Sequence, residues 1–194
     1  MQGDKNHQNQ EVKMDSKEFF SIDYQCTVNV YEVDSLPSEP AFELEIPAPF
    51  RLASEIADLD SPAATYLRSI AERQADLAKY LKLQAQKTNV LLSYILSLQD
   101  ATKEQFQTLS ISAGGLSYFN NFAVSTGQLL RIKLFLTEQS LAIYAYGEVV
   151  SCEQFADGFK VQVAYKMLRP TEQELLIRAT LQIQSQQLKA RKSN

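Results

Sequence analysis

From Phe20 the chain alternates strictly, with Phe20, Ile22, Tyr24, Cys26, Val28 and Val30 against Ser21, Asp23, Gln25, Thr27 and Asn29. A period of two held over six repeats predicts one half-buried strand. Pro37 and Pro40 then mark a loop, and Phe42 to Ile46 alternates again with Glu43 and Glu45 outward before Pro47 and Pro49. This stretch predicts a short strand at best.

The period then changes. Leu52, Ile56 and Leu59 stand at helical spacing, and Ser61-Pro62 offers an N-cap followed by proline at the first helical position, so a long helix is expected to start there. Beyond it, Leu67, Gln74, Leu81, Thr88 and Ile95 occupy a positions of a heptad and Ile70, Leu77, Gln84, Leu91 and Leu98 the d positions, without Gly or Pro between them. A single helix over this span runs roughly 45 to 50 Å at about 1.5 Å per residue, longer than a small domain can cover. Its e positions are Ala71, Ala78, Ala85 and Leu92, and two g positions are Tyr80 and Tyr94. A seam flanked by small and aromatic residues, not by charges, is wider than a two-stranded zipper needs. Gln74, Gln84 and Thr88 are polar seam residues of the kind that set register and oligomer state.

Strand patterns return after Asp100. Leu130, Ile132, Leu134 and Leu136 alternate with Arg131, Lys133 and Phe135, Leu141 to Cys152 is rich in strand formers, and Phe159 to Met167 alternates again after an expected Asp157-Gly158 turn. Several short antiparallel strands, with one contributed from before the helix, predict a small barrel. Thr171 and Glu174 read as a capping box after Pro170, opening a last helix with rows Leu176, Thr180, Ile183 and Ile177, Leu181, Leu188. The fold class expected is mainly β: a small antiparallel barrel over 17–48 and 105–170, a helical insertion over 49–104, a C-terminal helix and tail over 171–194, and a polar leader over 1–16.

Composition narrows the function. The net charge of −4 argues against nucleic acid, since Lys189, Arg191 and Lys192 make the one basic cluster and suit a helix C-terminus. No stretch of about 18 uncharged apolar residues exists, so no membrane insertion is expected, and the leader lacks a signal-peptide core. A cytoplasmic protein is the expectation. Cys26 and Cys152 fall in strand patterns and read as buried free thiols. The one histidine, His7, lies in the leader, which removes histidine-based triads and metal sites. No Walker loop, GxGxxG or EF-hand pattern occurs, so neither catalysis nor a metal is expected.

The run Leu109-Ser110-Ile111-Ser112-Ala113-Gly114-Gly115-Leu116 resembles the second signature of PilZ domains, an Asp or Asn, then Ser two residues on, then Gly three further on. Ser110 stands at the acidic or amide position, while Ser112 and Gly115 match. Lys17-Glu18-Phe19-Phe20-Ser21-Ile22 resembles the entry to the first PilZ strand, where two arginines four residues apart normally bind cyclic di-GMP. Lys17 and Ser21 occupy those places here. The order of elements, from Gly127-Gln128-Leu129 through Gly147-Glu148-Val149 to Gly158-Phe159-Lys160, is also similar to PilZ. The long heptad helix resembles an atypical, tetrameric PilZ branch deficient in cyclic di-GMP binding.

The resemblance implies a nucleotide site at Lys17, Ser21, Ser110, Ser112 and Gly115, and the chemistry weakens it. Two guanidinium forks normally grip the guanine and phosphates, and a lysine plus a hydroxyl do not replace them. Losing two charge-assisted contacts at ~1.5 to 3 kcal/mol each lowers affinity by about two to four orders of magnitude. Ser112 and Gly115 also have a purely structural role open to them, a turn with positive φ at Gly114-Gly115. The expectation is therefore a non-enzymatic regulatory protein without a cofactor. It forms a homo-oligomer through 62–99, a tetramer as the resemblance implies, and docks on another cytoplasmic component, which the resemblance alone places in bacterial surface motility, biofilm or virulence control. The competing reading is an effector holding cyclic di-GMP through other residues, such as Lys17 with Arg169 or Arg131.

Overall fold

The computed structural model describes residues 19–99 and 102–192. Its centre is a closed antiparallel barrel of six strands, β2 (Thr27–Val33), β3 (Gln105–Ile111), β4 (Gly115–Asn120), β5 (Leu129–Leu136), β6 (Leu141–Phe155) and β7 (Gly158–Met167). Round the barrel the order is β3-β2-β5-β6-β7-β4, and β4 pairs back onto β3 to close it. Closure leaves no open edge among these six, which is how a small sheet buries one whole face. Inside sit Val28, Ile132, Leu134, Ile143, Val149 and Val161, all fully buried, as the alternation along each strand requires.

The alternating run that begins at Phe20 is not one strand. β1 (Ile22–Asp23) and β2 both pair with β3, but Ile22 faces Ile111 while Thr27 faces Gln107, so the first strand carries one residue too many. This is a bulge at residues 24–26. Thr108, fully buried, ties it together: its hydroxyl accepts from the Cys26 N–H at 2.9 Å and donates to the Tyr24 carbonyl at 2.7 Å. Burial pushes the Cys26 thiol up to about 11, and both cysteines are free, but each is half-buried and not fully enclosed as expected.

Between β2 and β3 lie three helices, α1 (Glu39–Glu45), α2 (Ala48–Arg73) and α3 (Ala75–Ser97). The strand expected at 42–46 is thus a helix. Phe42 and Ile46 are buried at a spacing of four, whereas Leu44, which an alternating strand places on the same face, is 84% exposed. The long helix also starts earlier than Ser61-Pro62. It opens after Pro47, with Pro49 in its first turn where a missing N–H costs nothing, and Pro62 lies inside it. The early start places Phe50 and Ala53, both fully buried, on the barrel wall.

Nor is the heptad segment a single rod. Gln74 leaves helical geometry (φ −142°, ψ 76°), although its N–H still donates to the Ile70 carbonyl and its own carbonyl accepts from Ala78. Phe50 near the start of α2 meets Phe135 with ring centroids 5.6 Å apart, and Leu96 near the end of α3 lines a small pocket with the same Phe135. From either residue to Gln74 is about 33 to 36 Å of helix, so both can reach Phe135 only if the chain folds back at Gln74. The insertion is a helical hairpin. Leu67 and Ile70 consequently sit on α2, and Leu77 to Leu98 on and just beyond α3.

The hairpin and α1 cover the outside of β5 and β6 with a second core of Phe42, Ile46, Phe50, Leu92, Leu96, Phe135, Tyr144 and Tyr146. Phe135 therefore belongs to a buried outer face, not to the solvent side that its alternation with Leu134 and Leu136 suggests. Two smaller corrections complete the chain. The β6–β7 turn is Ala156-Asp157, with Ala156 at φ 52° and Gly158 already paired with Phe155. The last helix, α4 (Pro170–Lys192), begins one residue before the Thr171 capping box, with proline at its first position. Its Leu176, Thr180 and Ile183 row is buried against the barrel, and its Ile177, Leu181 and Leu188 row is exposed.

Candidate functional site

The serine-glycine segment forms the end of β3, a short turn, and the start of β4. Ser112 organises it. Its hydroxyl donates to the Gly115 carbonyl at 3.0 Å and accepts from the N–H groups of Gly114 and Gly115 at 3.2 and 3.1 Å. Ser112 is buried, and its donor and its acceptor capacity are both engaged within the turn.

Neither Gly114 nor Gly115 takes a positive φ; among the described glycines that conformation belongs to Gly127 (φ 87°). Gly115 is required for closeness instead. A Cβ there lies 2.1 Å from the Val163 carbonyl oxygen, on the strand to which β4 pairs. Ser110 is half-buried and shares a 2.7 Å hydrogen bond with Ser117, across the irregular β3–β4 register.

Ser21, Ser110, Ser112 and Gly115 do come together. They line one open concavity of ≈ 420 Å³, with Leu116, Ser117, Val150, Gln162 and Val163 completing its wall. Every described residue of this lining is uncharged. Lys17, the remaining expected member, lies outside the described residues. The concavity presents hydroxyls and an amide, with no guanidinium to pair a phosphate or read a guanine edge.

The arginines proposed as substitutes are committed elsewhere. Arg131 lies over the Tyr31 ring, 4.7 Å from its centroid. Arg169 pairs with Glu172 at 2.7 Å and also donates to the Ser54 hydroxyl at 3.2 Å. Glu172 is fully buried, and burial pushes its carboxyl above the usual carboxylate range, against the opposing pull of Arg169 and Ser54. Ser54 belongs to α2 and Glu172 to α4, so the triad fastens the root of the hairpin to the C-terminal helix. Nothing in the residue spacing signals it, since Ser54 is 115 residues from Arg169.

A second, smaller cavity of ≈ 230 Å³ adjoins through Ser21 and is lined by Phe20, Ile22, Asp23, Gln184, Gln187, Leu188 and Arg191. Arg191 thus lines a cavity that shares Ser21 with the serine concavity, and its place in a C-terminal basic cluster gave no hint of this.

The expected oligomerisation positions fall into two groups. Leu67 and Ile70 are half-buried, and Ile95 and Gln84 likewise. Gln74, Leu77, Leu81, Thr88, Leu91 and Leu98 are exposed, with Leu91 and Leu98 each 64% accessible. Most of the apolar seam therefore remains open to solvent in one chain even after the hairpin has formed. Among the described residues no group of acidic, cysteine or histidine side chains is placed to hold a metal, and no helix is long and apolar enough to cross a membrane.

A family model of the PilZ domain matches residues 84–182. No curated protein sequence matches the chain. Among solved structures, a pathogenic protein from Xanthomonas campestris, a tetrameric PilZ domain self-assembled via a helical bundle, superposes with TM-score 0.54 at 11% identity. The alignment covers 89% of this chain and 94% of that one. The PilZ domain of YcgR from Escherichia coli with c-di-GMP gives TM-score 0.38 at 12% identity, over 46% of this chain and 79% of that one. The Bacillus subtilis inhibitor of motility MotI/DgrA gives 0.40 at 19%, over 42% of each chain. At these identities the likeness is one of fold, and the first of the three carries it.

Proposed function

The chain belongs to the PilZ domain family, and from that premise we propose that it is a non-enzymatic regulatory protein that works as an assembly. On this reading the barrel does not take cyclic di-GMP through the usual motif, and α3 joins copies of the chain, as a tetramer. The observation that carries it is the exposed apolar side of α3. Large side chains from Leu77 to Leu98 stand in water along a helix whose other side is already used by the hairpin. Exposed apolar surface of that extent marks an interaction site in a folded protein. The helical bundle through which the Xanthomonas protein self-assembles offers a precedent for assembly through helices.

The lack of charge among the described residues of the concavity supports the other half of the reading. Ser112 is spent on its own turn, Gly115 on the β4–β7 approach, and no arginine lines the wall. The assembly then presents several barrels to another cytoplasmic component of surface motility, biofilm or virulence control, in keeping with a family of regulatory binding domains.

Light scattering after gel filtration tests the assembly: several times the 21.9 kDa chain mass is expected, and a monomer at high micromolar concentration overturns it. Isothermal titration with cyclic di-GMP tests the barrel, with no micromolar binding expected. A second reading, a nucleotide effector using non-standard contacts, is favoured by Arg191 beside Ser21. Micromolar binding that Arg191→Ala abolishes establishes it in place of the first.

A further inference from the structure

The hairpin changes which side of α3 is available, and this follows from the helix period alone. At 100° per residue, Ala78, Leu92 and Leu96, the buried positions of α3, share an arc of only about 40°. That arc faces α2 and the barrel wall. In heptad terms it takes the e positions Ala78 and Leu92 together with residue 96, the e position Ala85 staying exposed, and draws the a positions to its margin: Ile95 is half-buried, and Leu81 is among the least exposed of the large apolar residues on the helix. The d and g positions point the other way. Tyr80, Gln84, Lys87, Leu91, Tyr94 and Leu98 follow at spacings of four, three, four, three and four, a continuous seam. Tyr80, Leu91, Tyr94 and Leu98 are 57 to 65% exposed.

The free face is also wide. From Val90 through Tyr94 and Leu98 to Leu81 it spans about 180° of the helix, against the roughly 100° that one partner covers. The eight large apolar residues on it expose on the order of 900 Å², beyond the largest patch of an ordinary monomer and comparable with the ~800 Å² per partner of a stable interface. Lys87 is the one charge in the seam, and a lysine can lay its stem along apolar neighbours while its ammonium stays in water.

Resting on the self-assembly proposed above, we infer that the seam between copies is the d/g face of α3, and that each α3 packs between the α3 helices of two other copies with α2 on the outside of the bundle. The occupant of the face is a second and a third copy of this chain. The argument for copies is internal. The face is 3,4-periodic over three heptads, as a helix needs to meet its own kind, and its width exceeds what a single neighbour buries.

Two variants of the full chain distinguish this seam from an a/d seam. In Tyr80→Glu/Tyr94→Glu both g positions carry charge; in Thr88→Glu an a position does. Light scattering over a dilution series is expected to show wild type at three or more chains. The double variant should dissociate at concentrations at least tenfold higher than Thr88→Glu, with the helical signal in circular dichroism retained. Should the double variant lose that signal, oxidative cross-linking of Tyr94→Cys and Thr88→Cys decides, with Tyr94→Cys expected to cross-link more fully. The reverse order in either measurement, or a wild-type dimer, overturns the inference while leaving self-assembly in place. A wild-type monomer at high micromolar concentration overturns the reading beneath it.

Discussion

Gly115 shows how one side chain's absence can decide whether the barrel closes. The Val163 carbonyl oxygen sits where a Cβ has to go, and backbone cannot swing aside as a flexible side-chain end can. Gly115→Ala is expected to cost more than about 3 kcal/mol in urea unfolding, an overpacking loss at the severe end. Glu172 gives the pH-dependent counterpart. Its carboxyl is held above the usual range chiefly by burial, so the folded state binds its proton more tightly than the unfolded chain does. That contribution is complete below the ordinary carboxylate range and is lost as pH rises through the raised folded value. Glu172→Gln keeps the neutral shape and removes this loss. The stability of the variant relative to wild type should therefore climb from about pH 4 upward and then level off. A flat difference across that range contradicts the assignment. Arg169→Ala, which strands the buried carboxylate, should destabilise by about 3 to 5 kcal/mol near neutral pH.

The helices illustrate how element boundaries depend on what lies outside the element. The 3,4 spacing from Leu67 to Leu98 is compatible with one rod or with two antiparallel legs, because both bury a stripe of the same period. Gln74 carries no Gly or Pro signal, and it turns because Phe50 and Leu96 each gain the aromatic wall around Phe135 when the legs close. Docking at that wall can be measured. Leu92 is fully buried at the root of α3, and Leu92→Ala is expected to lower stability by about 2 to 5 kcal/mol in chemical denaturation. Leu91→Ala, one residue away and exposed, should change single-chain stability by less than about 0.5 kcal/mol and act on assembly instead. Similar costs for the two in a dissociated sample argue against the hairpin. The strand expected at Phe42 to Ile46 failed for a related reason. Five residues between prolines fit period two and a spacing of four about equally, and only the pocket between Tyr144 and Tyr146 selects Phe42.

At the scale of the whole molecule, a barrel with two apolar coats stands beside a hairpin with one coat still uncovered. If copies supply the missing cover, the folded state is linked to association, and the melting temperature has to rise with protein concentration. Scanning calorimetry from low to high micromolar chain should show that rise. A midpoint independent of concentration, in a sample that scatters as a monomer, speaks against shared burial. The same linkage predicts that Tyr80→Glu/Tyr94→Glu loses the concentration dependence without losing the barrel transition.

The amino-acid order by itself determined the barrel's inner face, the serine-glycine signature and the apolar periodicity of the insertion, since each rests on contacts between neighbours in the chain or on a repeat that any buried element needs. The resemblance to PilZ domains grouped Ser21, Ser110, Ser112 and Gly115, which the fold brings to a single concavity. Tertiary structure decided the rest: the bulge held by Thr108, the reversal at Gln74, the Ser54–Arg169–Glu172 fastening, and the side of α3 left in water. These depend on surfaces contributed by residues dozens to more than a hundred positions apart, and local spacing carries no record of which partner will be there.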